Sequence, residues 1–152
     1  MVKFTKDFNK EVPSWQECLD NLNESFLNKE YRKKIEYGFY NTFYADKLPQ
    51  VQKSLEMLDL KTAHLYVNIT TDVGTFGIHK DDVDVHYWQV QGKTKWIIEK
   101  KDEYVLEPGD LIYVPAGVNH SVVPFGPRVG VSMSKFVDIP DPEFLELKRL
   151  DV

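Results

Sequence analysis

Residues 109–120 have the sequence G-D-L-I-Y-V-P-A-G-V-N-H, an apolar run between turn residues that ends in a histidine. The apolar run at 111–114 predicts a β-strand. Earlier in the chain, His79 and Asp81 are separated by one residue, and alternate residues of an extended chain point to the same side. Two imidazoles and one carboxylate leave adjacent positions open on an octahedral ion, as in non-haem Fe(II) sites. The sequence therefore predicts one metal site made by His79, Asp81 and His120.

Each of these residues also has a simpler interpretation. A lone His-x-Asp pair is more often a surface pair or a local hydrogen bond than a ligand set, and His120 by itself could be a satisfied core histidine. Both motifs within one β-rich chain favour metal binding. His64 and His86 are not predicted ligands, because alternation turns His86 away from His79 and Asp81.

The second part of the chain predicts an all-β domain. Short runs rich in Val, Ile, Tyr and Trp, punctuated by Gly, Pro and Asp, are typical of a sandwich or barrel. The predicted strands are 64–70, 85–90, 95–98, 104–106, 111–114, 121–123 and 129–137. Before them, Ser14 and Glu17 form a capping-box pattern that predicts a helix to about Asn28, and Pro49 opens a second helix. The predicted fold class is mainly β, a jelly roll with N-terminal helices packed on the outside.

Length predicts one domain over residues 1–152. We divide it into a helical N-terminal segment (1–60), a jelly-roll core (62–137) and a C-terminal tail or short helix (138–152). The net charge of -5 argues against nucleic acid as a partner, because such binders need a concentrated basic face. One cysteine and no long apolar run predict a cytoplasmic protein that does not bind membranes.

Two motifs carry a resemblance to a known family. The run from Gly109 to His120 looks like the second motif of the cupins. The segment 79–96, H-K-D-D-V-D-V-H-Y-W-Q-V-Q-G-K-T-K-W, is similar in spacing to the JmjC-type and ribosomal-oxygenase-like hydroxylases. Its H-x-D, where many cupins have H-x-H, points towards the oxygenases. The likeness covers roughly half of the chain and is strongest over 70–134.

The resemblance implies a double-stranded β-helix, the cupin jelly roll, in which His79, Asp81 and His120 bind Fe(II). It further implies that Fe(II) binds 2-oxoglutarate and dioxygen, and that the protein hydroxylates a C–H bond of a protein side chain or a small molecule. The residues expected to bind the co-substrate are Tyr66, Asn68, Thr94, Arg128 and Ser134. If strand alternation holds, Tyr87 and Gln89 line the same cavity as Tyr66 and Asn68. A homodimer is left open.

One position departs from the family pattern. Where the family usually has a lysine or arginine that pairs with the far carboxylate of 2-oxoglutarate, this chain has Thr94. Its neighbours Lys93 and Lys95 point outward if Thr94 points inward, unless the register shifts. Arg128 is the second candidate for this role, because it opens the last strand and shares its facing with Ser134; its planar guanidinium suits a carboxylate.

Two other functions remain alternatives. A metal-binding cupin that does not use 2-oxoglutarate, either another dioxygenase or an isomerase, is favoured by Thr94. A non-catalytic small-molecule binding module, in which the ion organises a pocket, is favoured by the short chain.

Overall fold

The computed structural model describes residues 1–28, 38–70 and 77–135. The elements in these ranges are β1 (Lys3–Thr5), α1 (Trp15–Leu27), β2 (Phe39–Thr42), α2 (Pro49–Leu58), β3 (Thr62–Asn68), β4 (Val85–Gln91), β5 (Thr94–Ile98), β6 (Asp102–Leu106), β7 (Leu111–Val114), β8 (His120–Pro124) and β9 (Arg128–Ser134). A single 3-10 turn, Ala45–Lys47, precedes α2. The predicted C-terminal tail or helix (138–152) lies outside the described residues.

The strands form two antiparallel sheets. The larger sheet has the order β1-β7-β4-β9-β3-β2 and the smaller one β6-β5-β8. The sequence of β4 shows how the larger sheet acquires two buried faces. Trp88 and Val90 belong to the core shared with the helices, whereas Tyr87 belongs to the core shared with the smaller sheet. The prediction of a mainly β fold is therefore confirmed.

The two helices cover the outer face of the larger sheet, as predicted. Ser14 caps α1, and the reciprocal contact with Glu17 completes the capping box. Cys18 of α1 and Leu55 of α2 are buried in the same cluster as Trp88. Burial of this shared apolar face, and not intrinsic helix propensity, supplies most of the stability of such short helices. Neither helix is long and apolar enough to cross a membrane, within the described ranges.

Two strands in the N-terminal segment were not predicted. β1 has three residues and pairs with β7, while β2 pairs with β3 at the opposite edge of the larger sheet. Such short edge strands carry little local signal, because their main support is the ladder that a distant strand provides. All seven predicted strands are present within the described residues. Their boundaries agree with the prediction to within two residues, except that β9 ends at Ser134 where the prediction extended to 137; residues 136 and 137 lie outside the described residues.

Gly130 leaves room for the ring of Tyr87 at the centre of the larger sheet. It lies in β9, opposite Tyr66 of β3 and Gln89 of β4. A Cβ atom at this position would overlap the phenol ring of Tyr87, which crosses over the glycine. The absent side chain is therefore what lets the Tyr87 ring lie flat on β9.

We predict that Gly130→Ala lowers the free energy of unfolding by about 1–3 kcal/mol, because the added methyl group must displace a fully buried ring. Chemical denaturation of the purified protein measures the change. The matched control is Gly126→Ala, where a Cβ atom would meet nothing within 4 Å. Equal stability of the two variants would contradict the proposed packing of Tyr87.

Candidate metal and co-substrate site

The two predicted histidine ligands face each other across an antiparallel bridge. The backbone N–H of His79 donates to the carbonyl oxygen of His120 (2.9 Å), and that of His120 donates to the carbonyl of His79 (2.8 Å). Directly opposed residues of an antiparallel pair project their side chains to the same face. The two imidazole rings accordingly lie 4.3 Å apart, between centroids.

Asp81 joins this pair from two residues further along the chain. Its Oδ2 lies 3.2 Å from Nε2 of His120 and 3.7 Å from Nε2 of His79. One ligand atom from each of the three residues lies within 4.8 Å of the other two. Ligands about 2.1 Å from an ion and at right angles to it are separated by roughly 3 Å. A small inward movement of His79 would therefore bring all three donors to one ion.

Backbone carbonyls orient both imidazoles. Nδ1 of His79 is 2.8 Å from the carbonyl oxygen of Gly77, and Nδ1 of His120 is 3.0 Å from that of Val118. A histidine ligand usually donates its second ring N–H to such an acceptor, which leaves the lone pair of Nε2 free for a metal. The two Nε2 atoms are the ones that point towards Asp81.

Asp81 and His120 shift each other's pKa values. The hydrogen bond from His120 holds the pKa of Asp81 below its ordinary value, with burial opposing it and the charges of both histidines adding to it. Burial acts to lower the pKa of His120, but the hydrogen bonds to Asp81 and to the Val118 carbonyl outweigh it, so the pKa is raised. Asp81 is therefore an anionic donor at neutral pH, as a metal site requires.

The cluster opens into a cavity between the two sheets, with a volume of about 370 Å³. The cavity walls are mainly aromatic and aliphatic, with a few convergent polar groups, which is typical of small-molecule sites. The lining residues are Phe39, Tyr66, His79, Asp81, Val85, Tyr87, Trp96, His120, Val122, Arg128 and Ser132. Among these lining residues, Arg128 is the only lysine or arginine.

Arg128 is a buried cation held by neutral groups. It is 2% exposed. Its Nε donates to Oδ1 of Asn68 (2.7 Å), and Nη1 donates to the hydroxyl of Tyr87 (2.8 Å). The guanidinium also lies over the rings of Phe39 and Tyr87. No carboxylate of the described residues forms an ion pair with it, so this part of the chain does not supply the counter-charge that buried cations normally have.

A chain of buried hydrogen bonds continues from Arg128 into the smaller sheet. The Tyr87 hydroxyl donates to Oε1 of Gln89 (3.0 Å), and Oγ1 of Thr94 donates to the same oxygen (2.7 Å). Gln89 in turn donates to the carbonyl oxygen of Gln91 (2.9 Å). Burial raises the pKa of Tyr87, and the nearby guanidinium of Arg128 opposes that rise. The phenol of Tyr87 is thus neutral. Because it donates to Gln89 and accepts from Arg128, the position of Gln89 helps to fix that of the guanidinium.

The structure separates the five predicted co-substrate residues into three groups. Tyr66 and Arg128 line the cavity with the triad. Asn68 and Thr94 are fully buried behind the lining and act on it through hydrogen bonds. Ser134 is not in the lining. It borders a separate cavity with His86 and Tyr113, because β9 extends two residues beyond Ser132 to the sheet end.

The register of β5 follows the simple alternation. Thr94 points inward like Trp96, while Lys95 points outward and pairs with Glu103 (3.8 Å). Lys93 lies 4.0 Å from Glu107, also away from the cavity. Lys93 and Lys95, the basic residues beside Thr94, therefore do not line the cavity, whereas Arg128 does. The prediction of Gln89 as a lining residue is corrected to a supporting role, since its amide is used within the sheet.

Two further cavity residues were missed or assigned otherwise from sequence. Trp96, which was not among the residues predicted to line the cavity, stacks on His120 with centroids 5.4 Å apart and an angle of 17° between planes. Phe39 lies in β2, a strand that the sequence did not predict. Alternation in β5 would have placed Trp96 on the same face as Thr94, but no local pattern distinguishes a cavity wall from a packed core.

A search of protein-family models matches residues 97–141 to the JmjC domain. No curated protein matches the sequence as a whole. Solved structures match over nearly the whole chain. YcfD from Escherichia coli is 14% identical with a TM-score of 0.69, and the match covers 99% of this chain and 53% of that one.

Two other structures extend the comparison. The ribosomal oxygenase YcfD from Escherichia coli in complex with cobalt and 2-oxoglutarate matches with a TM-score of 0.64 and 14% identity, covering 99% of this chain and 52% of that one. A cupin superfamily protein from Desulfitobacterium hafniense matches with a TM-score of 0.51 and 16% identity, covering 87% and 97%. At these identities the likeness shows the fold. This chain spans about half the length of the YcfD chains.

We predict that Asp81→Ala weakens the binding of Co(II), used as a spectroscopic metal, by more than about 100-fold. Loss of a partner outside the ligand shell already costs 10- to 100-fold in metal sites, and loss of an anionic ligand costs more. Isothermal titration under anaerobic conditions measures the affinity. The control is Asp82→Ala, which removes the exposed neighbouring carboxylate. Unchanged affinity in Asp81→Ala would exclude this site.

Proposed function

We propose that this chain is a JmjC-type cupin and acts as an Fe(II)- and 2-oxoglutarate-dependent oxygenase that hydroxylates a C–H bond. The observation that carries the proposal is the buried guanidinium of Arg128 in the same cavity as His79, Asp81 and His120. His79, Asp81 and His120 would hold a metal ion that binds one end of a 2-oxo acid, and the guanidinium of Arg128 in the same cavity would bind a carboxylate at the other end. A dicarboxylate such as 2-oxoglutarate meets both requirements.

The donor set fits Fe(II). Two imidazole nitrogens and one carboxylate oxygen, grouped on one side, leave the remaining octahedral positions for a chelating co-substrate and dioxygen. The absence of cysteine among the three donors disfavours a thiolate-rich structural zinc site. When bound, Fe(II) would supply the oxidising chemistry, with dioxygen and 2-oxoglutarate as co-reactants.

The residues of the chain would divide the remaining tasks. Asp81 and the two histidines hold the ion by oxygen and Nε2 atoms. Arg128 would direct its remaining N–H groups at the far carboxylate, while its hydrogen bonds to Asn68 and Tyr87 fix its plane. The rings of Tyr87 and Trp96, with centroids 4.8 Å apart, line the cavity with Arg128 and the triad, and such apolar walls would strengthen the electrostatic contact with a bound co-substrate.

A substrate would reach the metal from the side of His79 and Asp81. The side chains of His79 and Asp81 are 31% and 36% exposed, whereas that of His120 is 3% exposed. A substrate would therefore approach over His79 and Asp81, while the co-substrate occupies the deeper end beside Arg128. The proposed substrate is a protein side chain or a small molecule with a C–H bond presented at this opening.

A second candidate function is a metal-dependent cupin that does not use 2-oxoglutarate. The specific observation in its favour is Thr94, whose hydroxyl is bonded to Gln89 where the resembling family has a basic residue. In that case Arg128 would bind the carboxylate of the substrate itself. Both functions share the metal site, so they differ in the ligand that Arg128 binds.

We predict that anaerobic addition of Fe(II) followed by 2-oxoglutarate produces a visible metal-to-ligand charge-transfer band, because the 2-oxo acid must chelate the ion. Slow succinate release in air would accompany it. Absorption spectroscopy and succinate quantification provide the two measurements. Tight Fe(II) binding with neither signal would reject the use of 2-oxoglutarate and support the second candidate.

We predict that Arg128→Gln weakens 2-oxoglutarate binding by at least about tenfold, since it removes a charge-assisted hydrogen bond in a buried site. Arg128→Lys retains the charge but not the planar fork, and should fall between Arg128→Gln and the natural protein. Titration of the charge-transfer band measures each affinity. The matched control is Lys95→Gln, an outward-facing cation. If both glutamine variants bind 2-oxoglutarate equally, Arg128 is not the anchor.

A further inference from the structure

The hairpin between β5 and β6 turns through an uncommon pair of residues. Glu99 and Lys100 both have positive φ angles, 53° and 57°, and Lys101 N–H donates to the carbonyl oxygen of Ile98 (3.0 Å). Turns that need positive φ at both central residues strongly favour Asn and Gly, which tolerate the left-handed conformation. A strained backbone in a residue with a long side chain often marks a functional constraint.

Glu99 has a specific partner next to a predicted metal ligand. Its backbone N–H donates to the carbonyl oxygen of Asn119 (2.8 Å), and its Oε1 accepts from the backbone N–H of Asn119 (3.0 Å). The regular ladder between β5 and β8 ends one step earlier, with Ile98 opposite His120. Because the chain turns away at Glu99, the carboxylate provides the acceptor that a backbone carbonyl would provide in a continuing ladder.

The backbone around His120 is therefore fixed on both sides. On one side, the backbone of His120 exchanges two hydrogen bonds with that of His79. Towards the smaller sheet, Asn119 exchanges two with Glu99. These four bonds secure the strand entry from which the His120 ring projects. Removal of one acceptor would let the residue before His120 rotate, and the position of Nε2 depends on that rotation.

We infer that Glu99 is a positioning residue for the metal site, whose carboxylate holds His120 in register with His79 and Asp81. The inference rests on the proposed function, because it concerns the geometry of one ligand of the proposed metal. Glu99 acts through the backbone of Asn119 and touches neither metal nor co-substrate. With its positive φ angle, Glu99 ends the ladder and still presents its carboxylate to the Asn119 N–H.

The test compares Glu99→Gly with Lys100→Gly in the full chain. Both substitutions place glycine in the same turn and relieve a positive φ angle, but only the first removes the acceptor for Asn119. We expect similar melting temperatures for the two variants. We expect Glu99→Gly alone to weaken Co(II) binding by about three- to tenfold, the effect of one lost hydrogen bond. Glu99→Gln retains a side-chain oxygen and should stay within about twofold of the natural protein.

A metal-free measurement separates this inference from the proposed function. Hydrogen exchange of the backbone amides, followed by NMR, should show faster exchange at Asn119 and His120 in Glu99→Gly but not in Lys100→Gly. Equal Co(II) affinity and equal exchange in the two variants would overturn the positioning role. If the natural protein binds no Co(II), the proposed function fails, and the exchange data still decide whether Glu99 holds the backbone at His120.

Discussion

The buried guanidinium of Arg128 is the physical constraint around which the inner part of this fold is arranged. Removing a cation from water costs several kcal/mol unless other groups replace its hydration. In the described residues this replacement comes from an amide oxygen, a phenol oxygen and two aromatic faces, contributed by Asn68, Tyr87 and Phe39. Neutral groups satisfy hydrogen bonds but leave the charge itself uncompensated.

The hydrogen bonds that hold Arg128 also connect the larger sheet with the smaller one. Tyr87 can accept from Arg128 only while its ring lies across Gly130, and its hydroxyl is oriented by Gln89. Gln89 is oriented in turn by Thr94 of the smaller sheet. Thr94, at the position where the family that this chain resembles has a basic residue, thus acts on Arg128 indirectly, through the hydrogen bonds of Gln89 and Tyr87. In this chain the cation that lines the cavity is Arg128 of β9, in the larger sheet, which faces Thr94 of the smaller sheet through this relay.

Much of this arrangement follows from the alternation of side chains, which is readable in sequence. Alternation placed His79 and Asp81 on one side, and it turned Lys95 outward once Thr94 faced inward. What alternation cannot supply is position along a strand. Arg128 and Ser134 have the same facing, yet only Arg128 lies opposite the cavity. The partnership of Glu99 with Asn119 was invisible for a related reason, since it depends on a backbone conformation that glutamate rarely adopts.

The unequal exposure of the three donors also affects how the protein must be handled. Two of the proposed donors lie at the surface opening and the third lies below them, so a chelator in solution would reach an ion bound there from the side of His79 and Asp81 without any unfolding. We therefore expect metal to be exchanged readily during purification. The metal content of an isolated sample would then reflect the buffers it has passed through more than the ion acquired in the cell.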